Sequence, residues 1–292
     1  MRIAVDGTEL YVDVDGPQIE VRGQDVIERP TLLALHGGPG FDHVHLKPAL
    51  GPLREHAQIV YVDLRGQGRS GRPPIETCTL EQTADDVAAL CGRLGIERPV
   101  VLGHSAGGFV ALHLAVRHPE VAGGLVLCST APTLEPISDG EPAPSLSDRA
   151  GPEATEAAAR VFGGDMSPAT MEEFARLVAP FYAGPTHMEV PLRLFPLSSF
   201  NAEVAQHFFQ NLASQYDLRP RLGEIGVPTL VVCGAYDWVC PPAASRLLAR
   251  SIPRAELLML EDAGHFSFAE EPEWFLDAVA GFLGRIQDGA AA

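Results

Sequence analysis

The stretch Val100-Val-Leu-Gly-His-Ser-Ala-Gly-Gly-Phe-Val-Ala-Leu-His-Leu-Ala115 decides how the rest of the chain is read. An apolar run ends at Gly103-His104-Ser105-Ala106-Gly107, which fits the pattern G-x-S-x-G, and a second apolar run with helical spacing follows at once. A strand that reverses directly into a helix forces a strained backbone at its corner. Residues with small side chains relieve the crowding there, and the turn exposes the serine hydroxyl at the N-terminus of the helix. Ser105 is therefore a candidate nucleophile. It needs a base, an acid to orient the base and N–H groups to receive an oxyanion.

Working outward, short apolar runs recur at 31–35, 59–62, 124–128, 229–233 and 256–260. They do not alternate polar with apolar residues, which predicts strands buried on both faces in a parallel sheet. Residues 2–5 and 8–14 flank Asp6-Gly7, a hairpin turn pair. Between the strands lie helical patterns. Thr79 and Gln82 form a capping box, and Leu80, Ala84, Val87, Cys91 and Leu94 make one stripe that stops at Gly95. Alternation of strand and helix predicts an α/β fold, a doubly wound, mostly parallel sheet.

The rhythm breaks between about 131 and 223. Residues 131–152 are rich in Pro, Ser, Asp and Gly and read as a mobile linker. Ser167-Pro168 and Asn201 then cap two helices. This predicts a helical cap over 132–223, inserted between core segments 1–131 and 224–292.

The partners of Ser105 are expected past strand ends. Asp237 follows the strand at 229–233, and His265 follows the one at 256–260. The order Ser, Asp, His suits a nucleophile–acid–base set. Asp262 competes as the acid but shares the loop of His265, so Asp237 is preferred. Gly37 and Gly38 follow the strand at 31–35 and offer oxyanion N–H groups, with Ala106 as the second donor.

Other patterns are set aside. Residues 66–71 match G-x-G-x-x-G but run into Arg72-Pro73-Pro74, which cannot open a phosphate-binding helix. His36, Asp42, His43 and His45 match no metal-ligand spacing, so no metal is expected; His43 and His45 are placed at the pocket mouth or in solvent. Phe174, Leu177 and Val178 are assigned to core. Phe41, Phe109, Tyr182, Phe208, Trp238 and Phe266 are candidates to line an apolar substrate pocket, together with Phe195, Phe200 and Phe209.

Composition bounds the partners. The 292 residues carry a formal charge of −17, which repels phosphate backbones and argues against nucleic acid. Five cysteines without a CxxC pair suggest a reduced, cytoplasmic protein. The N-terminus lacks a signal-peptide pattern, and no apolar run reaches the ~18 residues that span a membrane. The expected partner is a small-molecule substrate.

The segments at 35–40 (LHGGPG), 61–73 (YVDLRGQGRSGRP), 102–108 (LGHSAGG), 234–242 (GAYDWVCPP) and 262–275 (DAGHFSFAEEPEWF) resemble the α/β-hydrolase superfamily. Within it they resemble the proline iminopeptidase branch. The superfamily resemblance implies Ser105 as nucleophile, His265 as base, Asp237 as acid, Gly38 and Ala106 as oxyanion donors, and no cofactor. Two positions depart from the branch. Ala106 stands where iminopeptidases carry tryptophan, and Ala205 stands where a cap glutamate would hold the substrate's ammonium. A buried ammonium needs a negative partner. The sequence therefore favours hydrolysis of a small ester, lactone or thioester, with release of N-terminal proline as the alternative. A third reading, of another class, is a ligand-binding receptor that keeps the fold.

Overall fold

The computed structural model describes residues 1–142 and 144–290. Among these, strands β1 (Arg2–Val5), β2 (Thr8–Asp15), β3 (Ile19–Arg22), β4 (Asp25–Glu28), β5 (Thr31–Leu35), β6 (Gln58–Asp63), β7 (Val100–His104), β8 (Gly124–Cys128), β9 (Thr229–Gly234) and β10 (Ala255–Leu260) form two sheets. The main sheet runs β1-β2-β6-β5-β7-β8-β9-β10, and β3-β4 make a separate hairpin. β1 and β2 join antiparallel, β2 pairs β6 antiparallel, and every other pair in the main sheet is parallel.

Side-chain alternation along the strands explains the two-sided burial. Leu33, Leu35, Val101, Leu125, Leu127 and Val231 pack in one core with Val87, Val110 and Leu248 from helices. Their neighbours Leu32, Ala34, Val100, Leu102, Val126 and Leu230 pack in a second core with Leu50, Phe275 and Phe282. Successive residues of a strand face opposite sides, so each run must be apolar throughout to serve both cores. β10 is the exception: it is the edge strand, only its last residue is buried, and Leu257 is exposed. Its apolar run predicts the strand correctly but not its burial.

Helix Leu80–Leu94 begins at the predicted N-cap, with Thr79 Oγ1 accepting the Gln82 N–H at 3.1 Å, but the Gln82 side chain donates to Asp86 Oδ1 instead of closing the capping box. Gly95 ends it in the left-handed conformation, φ +64°. The linker expected over 131–152 needs correction. A helix opens at Leu146 and runs to Phe162, bent where Gly151 takes φ +82° ahead of Pro152. Proline without an N–H and a glycine outside helical geometry hide this helix from sequence periodicity. Ala143, within the same stretch, lies outside the described residues. From Cys128 to Thr229 the described residues otherwise form helices, among them Pro168–Leu177 and Ala202–His207, and one isolated bridge, Thr133 to Asp217.

The strand order places the site. From β5 the chain steps to β6 on one side, then returns to β7 on the other. The carboxyl ends of β5 and β7 therefore flank the point where the winding reverses, the crevice where open α/β sheets bind ligands.

Candidate active site

β7 delivers Ser105 into that crevice. Its backbone sits at φ +52°, ψ −119°, and helix Ala106–Arg117 begins with the next residue. A non-glycine residue at positive φ is strained, and such strain collects at functional sites. The surrounding bonds hold it: Ser105 N–H donates to Cys128 O at 3.0 Å, and the Thr130 hydroxyl donates to Ser105 O at 2.8 Å. The pattern's two glycines have a packing reason. A Cβ at Gly103 would meet the Gly107 carbonyl, and one at Gly107 would meet the Leu35 carbonyl of β5. The turn is seated too tightly on its neighbours for any larger side chain.

Asp237 follows β9 and is fully buried. Its Oδ1 accepts the N–H groups of Val239 and Cys240, both at 2.9 Å. His265 Nδ1 lies 3.0 Å from Oδ1 and 2.9 Å from Oδ2. A carboxylate can only accept, so Nδ1 carries the proton and Nε2 presents a lone pair in the neutral ring. Asp262, the competing acid, is exposed and makes no bond to His265. The His265 loop is fixed from three sides. Its N–H donates to Tyr182 O at 2.7 Å, its carbonyl meets His104 Nε2 at 3.0 Å, and Glu270 braces the backbone on each side.

Glu270 has no counterpart in the sequence reading, where it is one acidic residue among several. Its buried carboxyl accepts the N–H groups of Gly184, Gly264 and Phe266 at 2.6, 2.8 and 2.9 Å. Burial pushes it up to about 7, against the opposing pull of those three donors. Between its ordinary 4.5 and about 7 the folded chain holds a proton that the unfolded chain has released. Stability from this group is therefore lost as pH rises through that window. Denaturant titrations of wild type and Glu270→Gln across the window are expected to show a smaller decline with pH in the variant. Equal slopes would remove Glu270 as the source.

Ser105 and His265 open onto one cavity of about 560 Å³. Gly38 and Ala106 line it too. Gly38 takes φ +63°, and Ala106 is the first residue of its helix, so its N–H has no carbonyl one turn back to bond. Of the nine aromatics named from sequence, all but Trp238 line the cavity, Phe195, Phe200 and Phe209 included. Trp238 does not: its Nε1–H donates to Phe181 O at 2.9 Å, and its ring packs on Tyr182 and Phe162 behind the wall. Phe174, assigned to core, is buried but also faces the cavity. Phe162, Met166 and Met171 complete that wall: Phe162 ends the helix that reads as linker in the sequence, Met166 lies in the loop after it, and Met171 is on the helix capped at Ser167.

The histidines of the 36–45 loop differ from expectation. His43 is buried away from solvent, its Nδ1 2.6 Å from Asp63 Oδ1. His45 is buried and lines the cavity. Among the described residues, no group of three or more His, Cys, Asp or Glu side chains is placed to hold a metal ion. The loop at 66–71 opens no helix. Cys240 lies beside Ser105 on the cavity wall, its thiol pushed well above the ordinary range by burial and by Asp237. A thiol so protonated is a poor nucleophile. No helix among the described residues is long and apolar enough to cross a membrane.

Residues 30–272 match the family model for the alpha/beta hydrolase fold. The chain belongs to the α/β-hydrolase family. It is a hydrolase of that superfamily and shares the proline iminopeptidase resemblance read from its motifs. It is 29% identical to proline iminopeptidase PfmaB of Pestalotiopsis fici, over 94% of this chain and 98% of that one. It is 30% identical to the putative carbamate hydrolase RutD of Agrobacterium fabrum, over 90% and 97%. The structure superposes on the enol-lactonase of Burkholderia xenovorans LB400 with a TM-score of 0.73 and 28% identity, covering 97% and 100%.

Proposed function

We propose that this α/β-hydrolase is a serine hydrolase that cleaves a small, uncharged ester, lactone or thioester through an acyl-enzyme. The carrying observation is the Asp237 carboxylate 2.9–3.0 Å from His265 Nδ1, with Ser105 on the same cavity wall. In this reading Ser105 Oγ attacks the carbonyl carbon and His265 Nε2 takes its proton. Asp237 holds the ring orientation and stabilises the imidazolium. The oxyanion forms against the N–H groups of Gly38 and Ala106. His265 then returns the proton to the leaving oxygen or sulfur, and water repeats the sequence to free the acid. Residues 132–223 act as the cap that supplies the far wall of the cavity.

The cavity chemistry selects the substrate class. Its described lining contains no Asp, Glu, Lys or Arg. Its histidines include His45 and His104, which burial holds neutral. A carboxylate or ammonium carried inside would lose its hydration and find no counter-charge. The similarity to proline iminopeptidase PfmaB favours a second reading, release of N-terminal proline. That substrate brings an ammonium. Ala205 lines the cavity where the iminopeptidase glutamate would be expected and gives it no partner. Purified protein given p-nitrophenyl butyrate and proline p-nitroanilide is expected to cleave the ester with kcat/KM on the order of 10³ above the anilide, reflecting ~4 kcal/mol for an unpaired buried charge. A preference for the anilide would establish the peptidase reading instead.

A further inference from the structure

His45 is a polar residue of the cavity wall that the hydrolytic machinery leaves unused. It is buried in the wall between Phe41 and His104, with ring centroids 6.4 and 5.8 Å away. Its Nδ1 lies 3.1 Å from Ser198 Oγ. The Ser198 hydroxyl is directed at Asp42, whose carbonyl lies 3.4 Å away and whose carboxylate it also bonds, and the Asp42 backbone accepts from the His45 ring as well. Ser198 Oγ can then only accept from His45, so Nδ1 carries the ring proton. Burial, reinforced by His36, pushes the imidazole down to about 3, so the ring is neutral. Nε2 is thus a bare lone pair. It has no hydrogen-bond partner among the described residues, and His45 faces the cavity. His36, its other ring neighbour, cannot serve, because both of its nitrogens are engaged, Nδ1 with Gly37 O and Nε2 with the Leu64 N–H.

We infer that His45 Nε2 is a specificity-determining acceptor that reads an uncharged N–H or O–H donor on the substrate. The inference rests on the ester or lactone reading above and narrows it. The substrate is then apolar over most of its surface, to suit the Phe and Met walls, and carries one amide or hydroxyl donor near the scissile carbonyl. The distance is set by the rings: His45 is one ring beyond His104, and His104 is 5.0 Å from His265. A site built to bond a donor rejects the analogue without it more strongly than it rejects a change in chain length, because its own buried acceptor is left unpaired.

The test uses α-(hexanoylamino)-γ-butyrolactone and its N-methyl amide counterpart, with wild type, His45→Phe and His45→Gln. Wild type is expected to favour the N–H lactone at least ~10-fold in kcat/KM, mostly through KM. His45→Phe is expected to bring that ratio close to one. His45→Gln, which can turn an amide oxygen into the same space, is expected to restore part of it. The inference is overturned if wild type does not separate the two lactones, a result that needs no variant to fold. It is equally overturned if the ratio survives in His45→Phe. Ser105→Ala, run alongside, separates the two levels. Hydrolysis that persists in Ser105→Ala refutes the serine-hydrolase reading itself, whereas hydrolysis that depends on Ser105 but ignores the donor refutes only the role of His45.

Discussion

Replacing Ser105 with alanine is expected to lower kcat on p-nitrophenyl butyrate by ~10⁶-fold, the scale seen when a nucleophile that works as a unit with its base is removed. Binding and the oxyanion donors remain, so a small residual rate above water should persist. The fold should not suffer. The backbone bonds that hold the strained turn use the Ser105 N–H and carbonyl, which alanine keeps. Alanine also has the same Cβ and meets the same φ of +52°. The variant should therefore melt within a few degrees of wild type while turning over almost nothing. Loss of both together would mean that Ser105 is structural.

Asp237→Asn is expected to reduce kcat by ~10⁴-fold with KM little changed. The reason lies in the bonds around the carboxylate. Oδ1 accepts from Val239 and Cys240, both at 2.9 Å, and an asparagine must keep its oxygen there to satisfy them. Its NH₂ then points at His265 Nδ1 and donates to it. The imidazole proton is forced onto Nε2, the atom that must be free to take the proton of Ser105. Steady-state kinetics above pH 7 would show the loss in kcat rather than in KM. A decrease of less than ~10-fold would assign the orienting role to another group.

Ser105 and Asp237 are legible in the sequence because each follows an apolar run that has to be a buried strand, and His265 because it follows the apolar run of the edge strand β10. A strand with both faces covered leaves no polar position, so its end is marked sharply and the next polar residue is conspicuous. The turn at Ser105 is marked again by glycines whose absent side chains let the start of its helix close against β7 and the end of β5. Helix Leu146–Phe162 is not legible, because Gly151 and Pro152 break its period in the middle. The cavity wall follows the same logic. Phe162, Met166 and Met171 depend on how the helices between β8 and β9 are rotated against the core, and Trp238 is turned behind the wall by one bond to Phe181. Glu270 and His45 are hidden for a different reason. Their chemistry comes from burial beside groups distant in sequence, the Gly184 N–H for one and the Ser198 hydroxyl for the other.

The central claim is that Ser105 is the group that attacks. Its most direct test is to treat the wild-type protein with an uncharged alkyl fluorophosphonate, which phosphonylates an activated serine, and to locate the adduct by peptide mass spectrometry. One adduct per chain is expected, on Ser105, forming with loss of esterase activity and not forming in Asp237→Asn at a comparable rate. Labelling elsewhere, or full inhibition with Ser105 unmodified, would contradict it.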